Sequence, residues 1–349
     1  MNSAKRSTST RWLNALGIVA AISAVAAVAW KNSQPAIGSV LIHLSYNSTQ
    51  ELFGDLNPKF VKTYERNSGI HVAVNQSDAS NNADVVTFAM PSEVNELQRK
   101  GLIAEGWAGR LPGHSQPYTS TVVFVVRKGN PKAIHDWPDL VRKDVTVVTP
   151  DPRSSGNGKL SVLAAWGSVV RRGGSDASEL AYLRQLYAHV PVPDAKARGA
   201  KETFSEDKVG DVLLTWENQA LIERADSRGE YEIVYPPVSI LAEPAVAWVD
   251  SAVARHHTEA SAKAYLQYLF TAPAQEIIAK DGYRPVDAAV LAKYSKQFPA
   301  MNLFPVTAVA KDWDDASEKF FAAGGIFDQV RPVPVPPVSL AVAAPNRPI

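Results

Sequence analysis

Cysteine is absent from the 349-residue chain. Without a thiol the protein has no thiolate nucleophile, no cysteine-based zinc site and no disulfide, and an oxidising compartment does its fold no harm. A surplus of charge is lacking as well, because 36 Lys and Arg face 35 Asp and Glu, for a formal net charge of +1. A polyanion-binding surface would need a basic excess, so nucleic acid is not an expected partner.

Sequence patterns typical of enzymes and metal sites are also missing. The chain has 7 histidines without metal-ligand spacing, and the adjacent His256 and His257 would face different sides of a helix. No Gly-x-Ser-x-Gly nucleophile motif occurs. Gly158-Lys159 is followed by Leu160, which departs from the phosphate loop of nucleotide hydrolases. We therefore expect neither an enzyme nor a bound cofactor or metal.

The N-terminal segment is typical of an export signal. Lys5, Arg6 and Arg11 precede an apolar run that ends in small residues, with Ala-x-Ala at two places. We predict that residues 1–30 are a signal peptide cleaved after Ala26 or Ala29. At roughly 18 residues the run also suits an uncleaved membrane anchor. The proline-rich tail, 331–349, is predicted to be disordered.

Strands and helices alternate along the rest of the chain, which predicts an α/β fold with parallel-rich sheets flanked by helices. Strands are predicted at 40–45, 70–75, 84–88, 119–127, 145–149, 212–216, 232–235 and 246–249. Capping-box spacing at Ser48–Glu51 opens the first helix, and Gly69 ends it. We predict two lobes, 38–121 plus 236–330 and 122–235, joined by a hinge of two crossings. Ligands of open α/β sheets bind at the carboxyl ends of the strands, here in the cleft between the lobes.

A stretch in the middle of the second lobe is the strongest candidate for a site. A short strand at 145–149 is broken by Pro150 and Pro152, and apolar spacing then predicts a helix that reaches Val170. Between them lies Ser154-Ser155-Gly156-Asn157-Gly158. Small residues leave the N–H groups of the first helical turn uncovered, so this loop can hold an oxyanion without a lysine or a metal. The alternative is that Ser155 only caps the helix.

Residues 40–330 resemble the periplasmic sulfate-binding and thiosulfate-binding proteins of ATP-driven importers. The similarity rests on the strings Ser45–Leu52, Ala83–Thr87, Pro117–Phe124, Val126–Lys132, Leu163–Gly167, Gly210–Asn218 and Gly324–Gln329. This resemblance implies a two-lobed periplasmic binding protein of type II, a monomer that captures sulfate or thiosulfate and delivers it to the importer's membrane permease. Its expected location is the periplasm.

The resemblance also implies a set of ligand-binding residues. The family's Thr-Ser-Gly-Gly loop corresponds to Ser154–Asn157, so that Ser155 would donate its hydroxyl while Gly156 and Asn157 donate backbone N–H groups. The family's next backbone donor corresponds to Ala197, and its site tryptophan to Trp216. From the residues alone Trp216 is predicted to be a core residue. A site built only of donors suits sulfate, which carries no proton at neutral pH.

The first lobe departs from the family's pattern. Residues 77–83 are much shorter than the corresponding family segment, so that the family's serine, its glycines and the helix behind them are missing. Ser80 would partly replace that serine, and Asn47 stands where the family has an aspartate. Each lost hydrogen bond to a charged group costs about 1.5–3 kcal/mol. The alternative function is therefore a degenerate scaffold that keeps the fold as a docking or sensing partner with weak anion affinity.

Overall fold

Two four-stranded sheets form the framework of the protein. The computed structural model describes residues 37–46, 49–77, 82–191 and 199–331. The first sheet contains β1 (Ile37–Ser45), β2 (His71–Ser77), β3 (Val85–Phe88) and β10 (Ala245–Trp248). The second contains β5 (Val122–Arg127), β6 (Val147–Val148), β7 (Val212–Trp216) and β8 (Tyr231–Val234). Their strand orders are β10-β3-β1-β2 and β6-β7-β5-β8.

Two short strand pairs and a set of helices complete the fold. The pairs are β4 (Tyr118–Thr119) with β11 (Arg284–Pro285) and β9 (Val238–Ile240) with β12 (Asn302–Phe304). The helices are α1 (Gln50–Ser68), α2 (Pro91–Arg99), α3 (Gly156–Val170), α4 (Asp176–Ala188), α5 (Ala200–Ser205), α6 (Glu217–Asp226), α7 (Asp250–His256), α8 (Glu259–Tyr268), α9 (Ala272–Lys280), α10 (Ala288–Lys293), α11 (Trp313–Phe321) and α12 (Ile326–Val330). Across the described ranges no helix has both the length and the apolar character needed to cross a bilayer.

Strand direction differs between the two sheets. In the first, β1 runs parallel to β2 and β3, as the alternation of strands and helices predicts, and β10 is antiparallel to β3. In the second, β5 is antiparallel to both β7 and β8, and only β6 with β7 is parallel. Hydrophobic patterning carries no information on direction, so this sheet could not be predicted in detail.

The chain crosses between the sheets at two neighbouring places. The predicted single strand at 119–127 is interrupted at Ser120 and Thr121, where the chain leaves β4 and enters β5. Ser120 forms an antiparallel bridge with Ala242, and Thr121 Oγ1 donates to the Ile240 carbonyl at 2.8 Å. The outgoing and returning segments therefore lie side by side. The predicted lobe boundaries, 38–121 plus 236–330 and 122–235, stay a prediction.

Helix α1 follows the predicted apolar spacing but begins differently from the prediction. Leu52, Leu56 and Phe60 are buried, and Gly69 ends the helix at a φ of 71°. The N-cap is Thr49, whose hydroxyl donates to the Tyr46 carbonyl at 2.7 Å instead of capping the helix. The N-cap is thus one residue later than Ser48, which the predicted capping box pairs with Glu51, and Ser48 itself lies outside the described residues.

The largest core cluster surrounds α3. Trp166 on this helix stacks edge-on against Phe320 of α11, with ring centroids 5.1 Å apart. A Cβ at Gly167 would lie 2.1 Å from the ring of Phe304, so only glycine lets β12 pack this closely on the helix. The C-terminal helices thus hold α3 in place, and α3 presents its N-terminus to the space between the sheets.

Candidate functional site

A cleft of about 600 Å³ lies between the two sheets. Residues from the first sheet's side and from the second sheet's side share its walls. The lining includes Tyr46, Gln50, Glu51, Ala89 and Glu93 on one side and Ser154, Ser155, Gly156, Asn157, Lys201, Glu202, Thr215, Trp216 and Glu223 on the other. The cleft is far larger than a five-atom oxyanion, which would contact only part of this lining.

Ser155 caps α3 and keeps a hydroxyl proton to donate. Its extended backbone, with φ −132° and ψ 127°, places Oγ where it accepts the Gly158 N–H at 3.4 Å. The Ser155 carbonyl accepts the Lys159 N–H at 3.0 Å. A hydroxyl can accept and donate at the same time. The structure therefore confirms that Ser155 caps the helix, and the cap leaves its hydroxyl proton available to a ligand.

Glycine is required twice at this helix start. A Cβ at Gly158 would lie 2.5 Å from the Pro150 carbonyl oxygen, because the loop folds back over the first turn. A Cβ at Gly156 would lie 2.8 Å from Cβ of Ala89, on the opposite side of the cleft. Among the residues that the structure describes, no acceptor takes the N–H of Gly156 or Asn157. These two donors carry the positive end of the helix dipole.

Asn157 ties the loop to the second sheet. Its side-chain Nδ2 donates to Thr215 Oγ1 on β7 at 3.1 Å. Thr215 precedes Trp216, so the contact holds the helix start beside the end of the strand that carries the tryptophan. Asn157 thus has a side chain where the family loop described above has a glycine. This side chain braces the loop, and the backbone N–H stays in place.

Trp216 lies in the wall of the same cleft. It ends β7, opposite Val122, and only 1% of its surface is exposed. Its ring lies 5.8 Å from that of Tyr46, which reaches over from the first sheet. Trp107, Trp137, Trp248 and Trp313 each donate their indole N–H to a protein oxygen. Within the described ranges the Trp216 indole N–H has no such acceptor, so it is available to a ligand.

Charged groups in the cleft are mostly acidic. Glu93 is largely buried, and this burial raises its pKa. Burial also raises the pKa of Glu223, whose Oε1 lies 3.0 Å from the ammonium of Lys201. The hydrogen bond with Glu223 raises the pKa of Lys201. The cleft has no excess of positive charge, so an anion bound here would be stabilised by neutral dipoles.

The structure brings together four of the seven predicted ligand-binding residues: Ser155, Gly156, Asn157 and Trp216. Asn47, Ser80 and Ala197 lie outside the described residues, as do the predicted signal segment, 1–30, and positions 332–349 of the tail. Sequence reasoning missed Glu93, Lys201 and Glu223, since they come from separate helices and no motif joins them. No group of three or more potential metal ligands occurs within the described ranges.

Comparison with known proteins identifies the family. The chain is 42% identical over 303 residues to the sulfate-binding protein of Salmonella typhimurium, a match that spans 83% of this chain and 92% of that protein. It is 39% identical over 303 residues to the thiosulfate-binding protein of Pseudomonas aeruginosa, spanning 83% and 91%. The sulfate-binding protein SubI from Mycobacterium tuberculosis has a similar structure, with a TM-score of 0.70 and 27% identity over 81% of this chain and 99% of that one.

These similarities confirm the predicted α/β fold of a two-lobed periplasmic binding protein and the predicted resemblance. A family model described as "Bacterial extracellular solute-binding protein" matches residues 15–284. The chain belongs to the family of bacterial extracellular solute-binding proteins.

Proposed function

We propose that this protein is an exported receptor that binds sulfate or thiosulfate in the cleft and delivers it to the membrane permease of an ATP-driven importer. One observation carries the proposal. The hydroxyl of Ser155, the N–H groups of Gly156 and Asn157 and the indole of Trp216 line one cleft, and no described acceptor takes these N–H groups. Fully ionised tetrahedral anions only accept hydrogen bonds, so this donor set matches them. The names of the relatives support the same ligands.

The strength of binding depends on how many donors take part. Each hydrogen bond to a charged group contributes about 1.5–3 kcal/mol, and association itself costs at least about 4 kcal/mol. Four donors contribute about 6–12 kcal/mol, which exceeds only the lower bound of this cost, so the affinity depends on further donors. We propose that the backbone of Ala197 adds a further donor, and that Asn47 and Ser80 complete the site from the first sheet's side.

The proposal includes the setting in which the receptor works. It acts in the periplasm as a monomer and not as an enzyme. Residues 1–30 direct its export and are either removed or kept as a membrane tether. Its lobes comprise 38–121 plus 236–330 and 122–235, and their approach encloses the anion.

Calorimetric titration of the purified protein tests this function. We expect 1:1 binding of sulfate, of thiosulfate or of both. Absence of heat with sulfate, thiosulfate, molybdate and phosphate at millimolar concentration would contradict the proposal.

A second candidate function is a docking or sensing scaffold with weak anion affinity. The short segment 77–83 favours it, as do the four glutamates that line the cleft against a single lysine. This candidate predicts no measurable sulfate binding by the natural chain. It further predicts that grafting the family's longer segment between Ser77 and Ala83 creates binding.

A further inference from the structure

A buried ion pair lies beside the candidate site. Arg284 of β11 contacts Glu217, the first residue of α6, through two bonds: Nε to Oε2 at 2.6 Å and Nη2 to Oε1 at 2.8 Å. The Glu217 side chain is fully buried, and that of Arg284 is 11% exposed. Such a two-point contact sets both the distance and the plane of the carboxylate.

Glu217 directly follows Trp216 and is held at the crossing between the sheets. Its backbone N–H donates to the Thr121 carbonyl at 2.9 Å, and Thr121 lies where the chain passes from β4 to β5. Residue 217 is thus held by its backbone to one crossing segment and by its side chain to Arg284. The indole one residue earlier has correspondingly little freedom.

Arg284 is itself held in place by contacts other than the one with Glu217. β11 pairs with β4, so that Arg284 lies opposite Thr119, just before the crossing. Nη2 also donates to the Pro299 carbonyl at 3.0 Å, and the guanidinium lies 5.5 Å from the ring of Phe298. The pair therefore connects β11, which is paired with β4 just before the crossing, to α6, the helix that follows Trp216.

We propose that Arg284 and Glu217 are positioning residues that hold the Trp216 indole ready for the anion, an inference that rests on the proposed function. A buried ion pair is weak evidence for stability, since desolvation of two charges offsets most of their attraction. The pair contributes here by fixing the position of the Trp216 indole. An indole that is already in place loses little conformational freedom when the ligand binds, so the affinity rises without any contact between the pair and the anion.

A double-mutant cycle on sulfate affinity tests the inference. The variants are Arg284→Gln, Trp216→Phe and both together in the full chain, each titrated with sulfate by calorimetry. If the pair acts through the indole, Arg284→Gln weakens binding about tenfold when Trp216 is present and hardly at all in the Trp216→Phe background. Equal weakening in both backgrounds would overturn the inference, because a general structural role affects both alike.

A further variant keeps the test conclusive if Arg284→Gln fails to fold. Arg284→Gln leaves the Glu217 carboxylate buried without its partner, so the combined Arg284→Met and Glu217→Gln variant, which removes both charges, is taken through the same cycle. Arg172→Gln breaks the Arg172–Asp136 contact of 2.6 Å at a helix end away from the cleft and serves as the control. It should leave sulfate affinity unchanged. If the natural protein binds thiosulfate and not sulfate, the same cycle is run with thiosulfate. Failure to bind either anion would overturn the proposed function itself, whereas binding without coupling overturns the positioning role alone.

Discussion

Among single residues, the proposed function assigns the largest contribution to the indole of Trp216. Replacing it with phenylalanine keeps a ring in the cleft wall and removes one N–H donor. A hydrogen bond to an anion contributes about 1.5–3 kcal/mol, so we expect Trp216→Phe to weaken sulfate binding about 10- to 150-fold. Isothermal titration calorimetry measures this change directly.

Trp137 supplies the matched control for this substitution. Its indole N–H donates to the Val238 carbonyl at 2.7 Å, inside the core and away from the cleft lining. Trp137→Phe should lower the free energy of unfolding and leave sulfate affinity intact. Unchanged affinity in Trp216→Phe would contradict the role of this indole.

Some residues of the candidate site could be identified from the sequence, and others could not. The loop at 154–158 could be identified because proline breakers and small residues mark a strand, a turn and a helix start. Trp216 could not, since a tryptophan at the end of a buried strand is normally core, and only the family resemblance assigned it to the site. Lys201 and Glu223 are 22 positions apart in sequence and meet only through folding, so no local pattern indicates their pair.

At the scale of elements, the N-terminus of α3 combines a helix cap with the candidate anion site. Aspartate caps helices as well as serine does, but its carboxylate repels an anion and has no proton to donate. We expect Ser155→Asp to keep the stability of the protein within about 0.5 kcal/mol and to abolish sulfate binding at millimolar concentration. Urea unfolding and calorimetry on the same preparation separate the two effects.

Ser175, the N-cap of α4, provides the comparison for Ser155→Asp, because it lies outside the cleft lining. Ser175→Asp should leave both stability and affinity close to those of the natural protein. If Ser155→Asp binds sulfate as tightly as the natural protein does, Ser155 serves only as a cap.

Strand β1 carries a buried histidine that makes stability depend on pH. Burial lowers the pKa of His43 from 6.5 to about 3, and its ring contacts Thr87 Oγ1 at 2.8 Å and Tyr265 Oη at 3.0 Å. Below pH 6.5 the imidazole of His43 binds a proton in the unfolded chain but not in the folded protein. The contribution of His43 is therefore complete above pH 6.5 and is lost as the pH falls towards 3, by about 1.4 kcal/mol per pH unit.

The variant His43→Gln removes this titration and keeps polar atoms near Thr87 and Tyr265. Between pH 6.5 and 4.5 its free energy of unfolding should fall by about 2–3 kcal/mol less than that of the natural protein. Urea unfolding at several pH values measures the difference. His135, which is exposed, gives the control variant His135→Gln, with a pH profile like the natural one. Parallel profiles for His43→Gln and the natural protein would contradict this account of His43.

Elements were predictable where a local signal marks their ends. Strand β7 has its predicted bounds, and Gly69 ends α1 as expected. The strand predicted at 119–127 is interrupted because the chain changes sheets at Ser120 and Thr121. The run is rich in β-branched residues throughout, so its composition does not mark this break. The strand predicted at 145–149 is reduced to Val147–Val148 because pairing with β7 extends over only those two residues.

At the scale of the whole molecule, the arrangement of the sheets explains why donors from distant parts of the chain meet. β7 and α3 belong to one side of the cleft, Tyr46 and Glu93 to the other, and the paired crossing segments connect the two. A cleft of about 600 Å³ leaves a small anion in contact with one wall unless the two sides approach. The fold and the family follow from the sequence, whereas the charge balance inside the cleft emerges only from the folded chain.

The most direct measurement of the central claim is a crystal structure of the protein grown with selenate, a tetrahedral anion like sulfate whose selenium scatters anomalously. The account predicts one strong anomalous peak in the cleft, with selenate oxygens within hydrogen-bond distance of Ser155 Oγ, the Gly156 N–H and the Trp216 indole N–H. A peak at another site, or an empty cleft in crystals saturated with selenate, would contradict it.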